Sequence, residues 1–215
     1  MVGCHIDRIT RSELERACKE VEDTFLLPKL QLKNYINSLV KYAFMGNLSR
    51  DQLLAFCQNL EISHDDLEPN KRLAQLFKLF KREDNTYDGF SLKIIGLLYC
   101  ESTNKEKATD FLLLINPEKE EYLSKDLIET VLLKCMDLAT TFTTKYLPEM
   151  SEEAKKTAQS MAEATIEQKK SAIKIWCSEL IEHDIASKAI GEWIEKGALE
   201  TAKARDSFLK ANNEP

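Results

Sequence analysis

Glycine and proline are scarce in this chain of 215 residues, which has six of the first and five of the second. A sheet of many strands needs such residues at its turns, so their scarcity argues against a β architecture and for helices with few breaks. Long apolar runs are missing too. Nothing approaches the roughly 18 consecutive apolar residues of a membrane-spanning helix, and the opening MVGCHIDRITRSELERA lacks the apolar stretch that marks a secretory signal. Gly3 stands one place too late for N-myristoylation. The expectation is a cytoplasmic protein with no membrane span and no lipid anchor. Lys and Arg are interspersed with Asp and Glu and the formal net charge is −6, so nucleic acid is not an expected partner.

Chemistry-bearing motifs are equally sparse. There is no phosphate-binding GxxxxGK[ST] or GxGxxG, no HExxH and no GxSxG. His64 stands in a polar stretch beside Asp65 and Asp66, where a single imidazole without a scaffold does not make a metal site. Six cysteines occur singly, with no CxxC pair. Cys18, Cys57, Cys135 and Cys177 lie on or beside apolar stripes, the pattern of reduced core thiols. These absences lead to the expectation of a protein that is not an enzyme and holds no cofactor.

What is present is helical periodicity, in a chain that is 43% hydrophobic, and the fold class expected is all-α. A first amphipathic helix over 11–26 sets Leu14, Cys18, Val21 and Phe25 on one face. A second stripe of Leu32, Tyr35, Ile36, Leu39 and Val40 leads to Ser49 and Gln52, a capping box for a helix carrying Leu53, Cys57 and Leu60. Residues 62–70 read as a linker. In the stretch LLLINPEKEEYLSKDLIETVLLKC, residues 112–135, Leu112 and Ile115 close one stripe. A polar loop follows, and then Leu127, Ile128, Val131, Leu132 and Cys135, with Ser124 placed as N-cap and Asp126 in the first turn. The Thr-rich segment from Asp137 to Pro148 disfavours helix. A helix restarts at Ser151 and runs through Met161 to Ile173, and a last one covers Gly197 to Lys210.

An apolar residue just before a helix cap, inside a twelve-residue polar loop, resembles the calcium loop of the EF-hand superfamily, within it the four-hand proteins of the neuronal calcium sensor, calcineurin B and calaxin type. The resemblance covers about residues 29–196. It implies two lobes of paired helix-loop-helix units: hands one and two over 29–100, and hands three and four over 101–196 with an inserted helix at about 150–170. Residues 1–28 become an N-terminal helix and 197–215 a C-terminal helix and tail. In that frame Leu48, Phe90, Leu123 and Ile185 stand at position 8, where two loops pair. Gly46 keeps the sharp turn at position 6, which Glu121 replaces in hand three. Position 1 holds Lys41, Lys81, Asn116 and Ser178, and position 12 holds Gln52, Ile94, Leu127 and Ala189, with Leu180, Glu182 and His183 also inside loop four. No position 12 carries the bidentate carboxylate that calcium needs, so calcium is not an expected cofactor. The remaining candidate ligands are Glu83, Asn85 and Asp88 in loop two, and Asn116, Glu118 and Glu120 in loop three.

The function implied is a non-catalytic adaptor that docks an amphipathic helix of a protein partner in a larger assembly, such as the ciliary axoneme or cytoskeleton. The alternative is a calcium-responsive sensor with one weak site near residues 83–89. Leu76, Phe77, Phe80, Ile95 and Leu98 from hand two, with Leu127, Val131, Ile190, Trp193 and Ile194 from the second pair, are the candidates for lining the partner groove. The competing reading assigns the same residues to the core.

Overall fold

The structure, a computed structural model, describes residues 3–177, 180 and 185–213, the side chains of 3–7 and 213 excepted. Helix α1 (Gly3–Asp23) is followed by α2 (Leu32–Tyr42), β1 (Asn47–Leu48) and α3 (Arg50–Asn59), then by α4 (Arg72–Lys78), β2 (Tyr87–Asp88) and α5 (Gly89–Tyr99). The second half repeats the pattern with α6 (Asn104–Ile115), β3 (Tyr122–Leu123) and α7 (Lys125–Asp137), then α8 (Glu152–Ala162), α9 (Ile166–Trp176), β4 (Ile185–Ala186), α10 (Ser187–Glu195) and α11 (Thr201–Asn213). The fold is all-α, relieved among the described residues only by two antiparallel two-residue ladders, β1 with β2 and β3 with β4.

Local chemistry explains most helix starts. The Ser49 hydroxyl accepts from the Gln52 amide at 3.2 Å and the Gln52 side chain accepts from the Ser49 amide at 2.7 Å, the expected capping box. Ser124 caps α7 as expected. Thr103 with Glu106 and Thr165 with Gln168 form two more boxes that the sequence reading passed over. Each such cap contributes about 0.5–2 kcal/mol. The Thr165 box is why the helix expected to run to Ile173 is broken: α8 ends at Ala162 and α9 starts afresh at Ile166. Helix α1 also begins earlier than residue 11.

The Thr-rich segment departs from expectation in the other direction. Leu138–Phe142 continues α7 as a widened π turn. Thr140 donates to the Met136 carbonyl at 2.7 Å, Thr143 to Leu138 at 3.2 Å and Thr144 to Thr140 at 2.6 Å, so hydroxyls that would compete with a free helix serve carbonyls of this one.

Hydrophobic burial then joins the halves. The two lobes expected from loop pairing share one continuous core, from Leu14 through to Leu209. At the junction the Phe25 ring lies 5.4 Å from Tyr99 at 89° and 5.5 Å from Phe142, and the Tyr99 hydroxyl donates to the Leu138 carbonyl. Helix α1 precedes the first pair in the chain but packs on the second, against α8, and is tied to α11 through Arg205. Glu13 of α1 accepts from the Ser151 amide at 3.0 Å and hydroxyl at 2.6 Å. Arg205 of α11, 2% exposed, binds Glu15 at 2.5 Å and Glu22 at 2.7 Å and donates to the Ala139 carbonyl in the π turn.

Candidate docking cleft and the inter-helix loops

In loop two Asp84 and Asp88 serve the protein's own backbone, and Asp88 also a lysine. In the first ladder Leu48 faces Tyr87, not Phe90, which already lies inside α5. Counting the calcium-loop frame back from Tyr87 gives Phe80 at position 1, Asn85 at 6 and Ser91 at 12, so the loop has the ordinary length. Asn85 takes φ 64 and Gly46 takes φ 81, both at the sharp turn. Phe90, expected at position 8 as an apolar residue, is instead in the first turn of α5, and the strand takes the side chain two places before that helix.

Asp88 caps α5 by accepting from the Phe90 amide at 3.2 Å. Its other oxygen accepts from the Ser91 hydroxyl and from the Lys134 ammonium at 3.3 Å, which also donates to Ser91 at 2.9 Å. Burial would raise the Asp88 carboxyl, but the Ser91 hydroxyl and the Lys134 charge outweigh it and hold it below the usual aspartate value. The exposed Asp84 carboxylate is likewise held low by the Thr86 hydroxyl and amide. Glu83 and Asn85 are exposed.

In loop three Asn116 is buried and its amide is fully used: it donates to the Glu120 carbonyl at 2.7 Å and to Ser187 at 2.9 Å, and accepts from the Glu120 amide at 2.8 Å. Glu118 and Glu120 are exposed. Among the described residues no group of three or more His, Cys, Asp or Glu converges. The donor set does not fit calcium, because an ammonium already holds Asp88 and an amide bridge holds Asn116. Leu123 pairs with Ile185 as expected, while Ser178, Glu182 and His183 of loop four lie outside the described residues.

The expected partner groove is largely filled. Leu76, Phe77, Ile95, Leu98, Val131, Ile190 and Ile194 are buried in the common core. They are not available as a groove, because they pack into that core. Leu127 and Trp193 are half-buried, the latter 5.7 Å from Trp176. Phe80 is half-buried and differs from the rest in lining an open cleft.

That cleft, about 540 Å³, lies where the two pairs meet. Leu79 and Phe80 come from the end of α4, Leu138 and Phe142 from the π turn, and together they give it an apolar floor and edge. Lys81, Arg82, Lys134 and Lys145 provide its cations, Asp88 and Asp137 its anions. Both carboxylates are occupied, Asp88 by Lys134 and Asp137 by Lys169 at 2.5 Å. A hollow of similar size between α2 and α3 is lined chiefly by Asn34, Asn37, Lys41 and Asn59 and offers little apolar surface. An apolar floor with a few placed charges is the usual composition of a binding site. Local sequence carries no sign of this one, since its walls are about 50 residues apart in the chain.

Compared with protein-family models, with curated proteins and with solved structures, the chain matches none.

Proposed function

We propose that this chain is a non-catalytic, metal-independent adaptor that docks a helical segment of a protein partner within a larger assembly, on an EF-hand-like scaffold. The observation that carries the reading is the pair of two-residue antiparallel ladders, Leu48 with Tyr87 and Leu123 with Ile185, each tying two successive helix-loop-helix units. Loops tied in this way hold helices at fixed angles, and here Asp88 and Asn116 close them with hydrogen bonds in place of an ion. The docking surface is the cleft at Phe80, since most of the other candidate groove residues are buried in the common core.

Calcium titration by calorimetry, with amide spectra recorded alongside, tests the metal independence. The expected result is no binding tighter than about a millimolar and no movement of amide signals; a micromolar site would overturn it in favour of a calcium sensor. Affinity capture from cell extract tests the adaptor role, with wild type retaining a protein that Leu79→Asp releases, Leu79 being exposed and safe to change. A ciliary or cytoskeletal setting follows from the resemblance alone, and localisation of a tagged chain decides it.

A further inference from the structure

We infer that the cleft between the pairs takes an acidic amphipathic peptide, with apolar anchors on its floor and carboxylates against its cationic rim. The inference rests on the adaptor reading and adds the chemistry of the partner.

Charge is the first argument. The chain carries a net charge of −6, yet this cleft has four cations to two carboxylates, and both carboxylates are spoken for by lysines. Among the described residues Lys81, Arg82 and Lys145 pair with no carboxylate, and all three are exposed. Lys81 and Arg82 stand on the α4 wall and Lys145 beyond the π turn on the other. A ligand that meets both walls needs anionic groups at more than one place along its length, which a helix with spaced Asp and Glu provides.

Shape is the second. Leu138 and Phe142 are 3% and 2% exposed, recessed below the rim, while Leu79 at its edge is 47% exposed. A recessed floor receives side chains from a partner and cannot itself insert into a bilayer, which requires protruding apolar groups. A volume near 540 Å³ has room for a few large apolar side chains of a helix, presented at i, i+3 and i+4. The π turn widens α7 at this wall, and such turns recur at functional sites.

The test uses the full chain and a fluorescein-labelled helical peptide with Leu and Phe at i, i+3, i+4 and i+7 and Asp and Glu elsewhere. A second peptide replaces the acids by Lys and Arg, and phosphatidylserine vesicles form a third arm. Anisotropy should show saturable binding of the acidic peptide, weakened about tenfold between low and high salt, and at least about tenfold weaker binding of the basic one. The triple variant Lys81→Glu, Arg82→Glu, Lys145→Glu, checked by circular dichroism for an unchanged fold, should lose the acidic peptide. Leu79→Asp should lose it as well. No binding of the acidic peptide, equal binding of both peptides, retention by the triple variant, or preference for vesicles would each overturn the inference. If wild type still captures a protein from extract that Leu79→Asp releases, the adaptor reading survives and only the acidic chemistry falls.

Discussion

In the ladder between β1 and β2 the chain turns on Gly46 and Asn85, at φ 81 and 64, residue types for which the left-handed region is cheap, with Met45 beside Gly46 left-handed too at φ 48. In the ladder between β3 and β4, loop three has neither residue at its turn. Lys119 takes φ 59 instead, and the Asn116 side chain bonds the Glu120 amide and carbonyl and reaches Ser187 at the start of α10. Each pair is closed by the same backbone bond, Gly89 donating to the Gly46 carbonyl and Ser187 to the Glu121 carbonyl, both at 2.9 Å, and the second adds the buried Asn116 side chain. A loop keeps its geometry without an ion where such bonds satisfy its backbone groups.

The second pair is also the more heavily clad, by α1, α8 and α11, and this difference gives the largest expected effect. Arg205→Ala leaves Glu22, 5% exposed, as a buried unpaired carboxylate and detaches α1 from α11. Urea denaturation should show a loss of about 3–5 kcal/mol. Because the core is continuous, both pairs should unfold in one transition; separate transitions would show that the pairs are independent units.

The two closures can be broken one at a time. A Cβ at Gly89 would collide with the Gly46 carbonyl, so Gly89→Ala should cost about 1–3 kcal/mol and shift amide signals of the first ladder. Asn116→Ala should cost about 1–3 kcal/mol through the unpaired Glu120 amide, since Ser187 still donates to the Glu120 carbonyl, and leave the first ladder unmoved. If Asn116→Ala is neutral, the side-chain closure of loop three is wrong.

Acid should act on the first pair through Asp88. Its folded carboxyl lies below the usual aspartate value, so its stabilisation is present above about pH 4 and is lost as the pH falls through the folded value. Asp88→Asn should flatten that acid limb, and an unchanged limb would remove Asp88 from the account.

Smallest in energy is the reactivity of the thiols. Burial pushes Cys57 and Cys135 up to about 12 and raises Cys177 as well, so native labelling at neutral pH should wait on local opening. Cys57, in the less clad pair, should label faster than Cys135 and Cys177; the reverse order would invert the comparison.

Much of this architecture was written locally. The stripes predicted the helices, Ser49 and Ser124 their caps, and Leu48, Leu123 and Ile185 the strand partners, because each depends on residues within a few places of one another. Thr165 with Gln168 is equally local, a capping box inside the stretch expected as one helix from Ser151 to Ile173. Cys18, Cys57, Cys135 and Cys177 were expected in the core and are buried there, as Cys100 is also.

The sequence by itself determined which segments are helical, where most of them are capped, and that no described helix is long and apolar enough to cross a membrane. Tertiary structure alone decided that most residues expected to receive a partner are buried in the common core, that Lys134 reaches Asp88 across 46 residues, and that Arg205 meets Glu22 across 183. It also set the cleft between α4 and the π turn. Helix periodicity and capping are fixed by neighbours three and four places away. Burial and charge pairing instead depend on which distant segment arrives alongside, and a single sequence carries no distance between segments.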